Sequence, residues 1–243
     1  MSARIVSGMR LVVAAVVVLF AASGFAAAAT TLSGVVQTGG SSSNAPLANV
    51  DVTLFEATSA QPTVVGQAIS DATGRFTILY RKKSSSSIFY LAADVGGGVE
   101  FVTVLGPDLP NSATIDELTT VAAGYSMAQF YRTGTISGNA FGLRIAAAMN
   151  DNLAASGTGD SSQVLLSSPN ADQTNSLQST RSLANLLAAC VGDPGVTESL
   201  FALTTPPGGS PPHGNRDRST GTRDLRERVR ALHASAGSRR AVK

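Results

Sequence analysis

The sequence predicts an antiparallel β-sandwich followed by a small all-α helical domain. Three observations carry the prediction. Short runs between Thr31 and Tyr80 alternate apolar and polar side chains and are separated by turns built on Gly, Pro and Asp. After Pro107 and Pro110 the apolar spacing lengthens from two residues to three and four. The chain has 1 cysteine, Cys190, so no intrachain disulfide framework substitutes for a hydrophobic core.

The strands follow in order. Ser33-Gly34-Val35-Val36 is short and ends at a Gly/Ser loop. Val50, Val52, Leu54 and Phe55 flank polar Asp51 and Thr53, the period a half-buried strand requires. Val64 to Ser70 is the next run. Asp71-Ala72-Thr73-Gly74 is a turn in which Gly74 can take positive φ, and Phe76, Ile78 and Tyr80 alternate again. Ile88 to Ala93 and Val99 to Leu105 are rich in β-branched and aromatic residues and sit between Ser and Gly clusters. Gly106-Pro107-Asp108-Leu109-Pro110 ends the pattern, so the sandwich is expected over 30–106.

The order of loop, "PLANVDVTL", strand, "DATGRF" and strand resembles the carboxypeptidase regulatory-like domains, which share a transthyretin-like sandwich. The resemblance implies that fold and a mostly non-catalytic role.

The helical domain is expected over 113–205. Thr114-Ile115-Asp116-Glu117 reads as a capping box, with the Thr hydroxyl at the helix start and Glu117 reaching back. Leu118, Val121, Ala122 and Tyr125 continue at helical spacing. A second helix fits Ala140 to Leu153. A third runs from Thr174 or Asn175 to Val191, with Leu177, Leu183, Leu186, Leu187 and Cys190 on one face. Gly192-Asp193-Pro194-Gly195 stops it, and Ser199 to Leu203 opens a short fourth helix.

The blocks "IDELTTVAAGYSMAQF", "NAFGLRIAAAMNDNLA", "SLANLLAACVG" and "SLFALTTPPGG" are similar to a helical segment of bacterial secreted proteins of unassigned function. There it follows the same sandwich and often precedes a C-terminal β-propeller. Members of that group usually carry a second cysteine just before the "SLF" block, where this chain reads Val196-Thr197-Glu198. The disulfide implied for the group is absent, and Cys190 is expected to be a free, buried thiol.

The N-terminus predicts export. Arg4 and Arg10 form a positive region, Leu11 to Phe20 is apolar, and Ala26 to Ala29 supplies the small residues of a signal-peptidase site. Residues 1–29 therefore read as a signal peptide, with mature protein starting at Ala29 or Thr30. An uncleaved N-terminal helix anchoring the chain is the alternative.

Charge is divided along the chain. Residues 29–212 hold 7 Lys/Arg against 13 Asp/Glu, whereas 213–243 hold 9 against 3. The basic overall balance averages two unlike segments, and no nucleic-acid partner is expected.

The chemistry-bearing residues are sparse, and no catalytic, metal or cofactor-binding residue is assigned. Gly124-Tyr125-Ser126-Met127-Ala128 imitates a nucleophile elbow but falls mid-helix, and residues 29–212 contain no histidine to serve as base. Asp71 and Thr73 read as a turn, since a calcium site needs six to eight oxygens that this segment lacks. Arg81-Lys82-Lys83 forms a basic trio that reads as a solvated loop tip or as a dock for an acidic polymer or lipid headgroups. Tyr80, Phe89, Tyr90 and Phe101 read as sandwich core or, alternatively, as a sugar-stacking patch.

Residues 206–243 form a Pro/Gly linker and a basic tail whose composition predicts disorder. Read one base on, codons for His213 to Arg218 can encode Thr-Ala-Thr-Ala-Ile-Ala, and those for Arg230 to His233 Ala-Leu-Phe-Thr. That reading, a frameshift after residue 212, resembles the alanine-rich continuation seen in the similar proteins and implies a lost propeller. A genuine basic tail, or a short amphipathic helix around Leu225, Val229 and Leu232, is the other reading.

The function expected is a secreted, non-catalytic structural or adhesive module of the bacterial cell envelope, not an enzyme, with envelope polysaccharide or a protein surface as partner. The alternatives are an accessory domain of an exported hydrolase whose catalytic part is absent, and a basic-tailed binder of envelope polyanions.

Overall fold

The computed structural model of the chain describes residues 29–40, 44–81, 87–132, 134–205 and 207. The expected signal peptide up to residue 28, Lys82, Lys83 and the basic tail lie outside the described residues.

Two four-stranded sheets form the β part. In the first, β1 (Ala29–Thr38) pairs antiparallel with β2 (Ala45–Pro46) and with β5 (Arg75–Arg81). The second runs β4-β3-β6-β7 and is antiparallel throughout, from β3 (Asp51–Glu56), β4 (Thr63–Ile69), β6 (Phe89–Gly96) and β7 (Val99–Gly106). Alternation sets the register: Phe76, Ile78 and Tyr80 of β5 are buried while Arg75, Thr77, Leu79 and Arg81 are exposed. The inward residues of both sheets, among them Leu32, Leu54, Ile78, Phe89, Leu91 and Phe101, meet in one core.

The turn before β5 forms as its residues require. The Asp71 carboxylate accepts hydrogen bonds from the Thr73 N–H and hydroxyl at 2.7 Å each and from the Arg75 N–H at 3.0 Å, and Gly74 has φ +74°. These bonds, the Thr73 hydroxyl foremost, hold the Asp71 pKa below its ordinary value.

The β part does not stop at residue 106. Ser112–Ile115 forms β8, which pairs parallel with β1 through Ser33–Ser112 to Val36–Ile115. Thr114 is therefore a strand residue, and the capping box expected to start there moves on by two positions. Asp116 is the N-cap of α1 (Glu117–Ser126): its carboxylate accepts the Thr119 N–H, and the Thr119 hydroxyl returns a bond by accepting the Asp116 N–H. Thr114 lies in extended β8, with its N–H on the Ser156 carbonyl and its carbonyl accepting the Thr103 hydroxyl, so the helix begins only after it.

Four more helices follow: α2 (Ala140–Asp151), α3 (Gln163–Leu166), α4 (Ser176–Gly192) and α5 (Pro194–Thr204). A small hairpin, β9 (Tyr131–Arg132) with β10 (Thr135–Ile136), sits between α1 and α2. Neither α3 nor this hairpin was expected. The Asp193-Pro194 pair both ends α4 and begins α5, with Asp193 capping the Gly195 N–H at 2.8 Å and Pro194 in the first turn, where its missing N–H costs nothing. Thr197 donates to the Cys190 carbonyl at 3.0 Å, so a hydrogen bond joins α4 to α5. Cys190 is a free, buried thiol packed into the sandwich core.

The helices cover the outer face of the second sheet. Phe55, Tyr90, Ala92, Val102 and Val104 point away from the sandwich interior and pack on Ala123 and Met127 of α1, Ile136, and Leu143, Ala146 and Ala147 of α2. β6 is thus buried on both faces over Phe89–Ala93. The Phe55 and Tyr90 rings stack with centroids 5.1 Å apart, and the Tyr90 hydroxyl accepts the Ile136 N–H at 3.3 Å. A register shift in the β3–β4 ladder at Leu54/Phe55 accompanies the run Leu54-Phe55-Glu56 that breaks alternation. Hydroxyls of α1 meet β7: the Thr120 hydroxyl accepts the Val102 N–H at 3.0 Å, and the Thr119 hydroxyl accepts the Thr103 hydroxyl at 2.8 Å. None of the described helices is long and apolar enough to cross a membrane.

Candidate binding cleft

The residues weighed from sequence for chemistry have structural places. Ser126 is the last residue of α1, buried, donating to the Ala122 carbonyl at 2.9 Å and facing the Asn150 amide oxygen at 3.5 Å. Phe89, Tyr90 and Phe101 are at most 1% exposed and Tyr80 is 8% exposed, so these rings fill the core and cannot stack on a sugar. Arg81 lies exposed at the end of β5. Among the described residues no group of three or more His, Cys, Asp or Glu could hold a metal ion.

The structure instead draws attention to the start of α1. Asp116 and Glu117 are 5% and 1% exposed. The Glu117 carboxylate accepts from the Gly39 N–H at 3.1 Å, the Gly40 N–H at 3.4 Å and the Thr38 hydroxyl. It fastens the end of β1 to the helix. The Asp116 carboxylate accepts from the Thr119 N–H at 2.9 Å and the Gln37 amide at 3.3 Å. Burial pushes its pKa up to about 6, against the lowering effect of those bonds and with Glu117 adding to the rise.

Over Asp116 folds the loop of residues 154–161. It is pinned at its base by the Ala154–Ser161 bridge and by the Ala155 N–H on the Asp160 carbonyl at 2.9 Å. It is tied to β8 by the Thr114 N–H on the Ser156 carbonyl at 2.8 Å and the Thr114 hydroxyl on the Gly157 carbonyl at 3.1 Å. Gly159, at φ +78°, lies against the carboxylate.

Between the start of α1, this loop and α4 lies a cleft of about 560 Å³, within the range of small-molecule sites. Asp116, Thr158, Asp160, Ser161 and Gln163 line it with polar groups, Arg181 of α4 adds a guanidinium to the lining, and Leu118 and Leu166 supply apolar wall. Arg181 is exposed and makes no ion pair among the described residues. One turn on, Asn185 packs against Gly40, which fixes this face of α4 over the cleft. Ser161 is 6% exposed, and its hydroxyl has no hydrogen-bond partner among the described residues.

Sequence reasoning missed this cleft. The adjacent acids at the start of a helix and the polar run Ser156-Gly157-Thr158-Gly159-Asp160-Ser161-Ser162 were its signals, but each is ordinary by itself.

No family model matches the chain, and no curated protein matches it. Among solved structures, the crystal structure of a 9R-lipoxygenase from Cyanothece PCC8801 is similar at a TM-score of 0.25 and 14% identity, over 35% of this chain and 15% of the lipoxygenase chain. A likeness that partial carries no argument about fold or activity.

Proposed function

We propose that the chain is a secreted, non-catalytic module of the bacterial cell envelope, with a structural or adhesive role. The β part is then a transthyretin-like sandwich of the carboxypeptidase regulatory-like kind, and the helices are the layer that sets the direction of whatever is joined to it. One observation supports this reading above the others. The helices bury the outer face of a sandwich sheet, and Glu117 bonds the end of β1 to α1, so sheets and helices share packing rather than hinge on a linker. Such a body transmits position and load between its ends, which suits a structural part. The amino-terminal leader and the anionic balance of residues 29–212 suit the exported compartment.

The test is to express the full chain with a C-terminal tag in a Gram-negative host. Fractionation should recover protein processed at Ala29 or Thr30 with the envelope, without turnover of peptide, ester or glycoside panels. Retention in the cytoplasm with Met1 intact, or saturable turnover, ends this reading; turnover would favour an exported hydrolase.

A further inference from the structure

The cleft beside α1 holds an arrangement that packing alone does not use. Asp116 is almost wholly buried, yet it lines an open cleft and lies against Gly159 of the loop. Its desolvation outweighs the two hydrogen bonds it accepts, so the carboxylate is short of compensating charge. Asp160 adds a second carboxylate to the lining of the cleft, and Arg181 adds a guanidinium that makes no ion pair among the described residues. Ser161, which also lines the cleft, has a buried hydroxyl without a partner among the described residues, and orphaned buried hydroxyls in native proteins call for an explanation such as a ligand or water.

We infer that this cleft binds a small zwitterion, an amino acid or dipeptide, with its ammonium toward Asp116 and Asp160 and its carboxylate on Arg181. The division of charge selects this class. An ammonium supplies the cation that the desolvated Asp116 lacks, which a neutral polyol does not. A guanidinium accepts a carboxylate through two parallel N–H donors, a geometry that Arg181 is free to offer. The Ser161 hydroxyl can donate to or accept from the ligand amide, and Leu118 and Leu166 suit a small apolar side chain. The volume of about 560 Å³ admits a dipeptide. The inference does not rest on the envelope role: a structural module and a hydrolase accessory domain could each carry such a site.

The experiment is isothermal titration of the full chain at neutral pH with four probes. They are alanyl-alanine, its N-acetyl derivative, its C-terminal amide, and glucose. Alanyl-alanine should give a saturable isotherm, and each blocked derivative should bind at least about tenfold more weakly, the loss expected for one charge-assisted contact worth ~1.4 kcal/mol or more. Arg181→Gln, at an exposed position, should fold normally and weaken alanyl-alanine by a similar factor without changing the weak binding of the amide. Ser161→Ala should weaken binding several-fold while leaving the melting temperature unchanged or higher, since it removes an unpartnered hydroxyl. No saturable heat with alanyl-alanine at millimolar concentration overturns the inference. So do equal binding of the blocked derivatives, preference for glucose, or indifference to Arg181→Gln.

Discussion

Gly159 lies directly against the Asp116 carboxylate: a Cβ built on it would fall 2.0 Å from Oδ2 and 2.7 Å from the Thr114 methyl. The loop backbone takes φ +78° at this point, where an L side chain is strained whatever the space. Gly159→Ala should therefore destabilise by about 2–4 kcal/mol, combining positive-φ strain with the clash. Urea denaturation measures it; a loss under about 1 kcal/mol would mean that the loop lifts freely from Asp116.

The raised Asp116 pKa has a consequence for stability. Its folded pKa, about 6, exceeds the ordinary value of 3.8, so between these pH values the folded state holds the proton more tightly than the unfolded chain. The contribution to stability is full below about pH 4 and is lost as pH rises through about 6. Asp116→Asn keeps a good N-cap and should flatten this downward slope, which amounts to roughly 3 kcal/mol. Denaturation midpoints of both proteins across pH 4 to 7 decide it, and parallel profiles would count against a buried, undercompensated carboxylate.

Glu117→Ala should cost about 2–3 kcal/mol, because it strands the Thr38 hydroxyl and the Gly39 and Gly40 N–H groups that the carboxylate accepts. Glu117→Gln keeps an acceptor oxygen and should recover most of that loss. Equal losses in the two variants, by chemical denaturation, would show that charge rather than hydrogen bonding holds β1 to α1.

Phe76→Ala should cost roughly 3–5 kcal/mol, as for other phenylalanines truncated in a core. Phe76 is 3% exposed at the first inward position of β5, and its ring reaches the space over Gly34. Calorimetry or urea melts give the value, and a small loss would mean that the cavity collapses without penalty.

The basic tail has a genetic test as well as a physical one. Deleting residues 213–243 should leave the unfolding midpoint of the remaining chain unchanged. The coding DNA read one base on past codon 212 should stay open and encode an alanine-rich helix. An immediate stop codon in that frame removes the frameshift reading, and a lowered midpoint shows that the tail packs on the body.

The positions of the main strands and the longer helices were legible in the sequence because periodicity is a local property. Phe76, Ile78 and Tyr80 are buried at every second place, and Leu143, Ala146, Ala147 and Asn150 are buried at helical spacing on α2. The turn at Asp71 to Gly74 was legible for the same reason: its hydrogen bonds close within five residues. What covers each face was not. Ile88 to Ala93 reads as a strand whether its outer face meets water or helices, and only packing against α1 and α2 buries Tyr90 and Ala92. Thr114 illustrates the limit most clearly, since its local sequence fits a helix cap and a partner some 80 residues away, Val35, makes it a strand. The cleft depends wholly on tertiary structure. Asp116, Ser161 and Arg181 stand far apart in the chain, and they acquire a common environment because β8 docks on β1, the 154–161 loop folds over the start of α1, and α4 packs beside it. A pattern read along the chain records which side chains share a face of one element, while burial, missing partners and shifted protonation arise where separate elements meet.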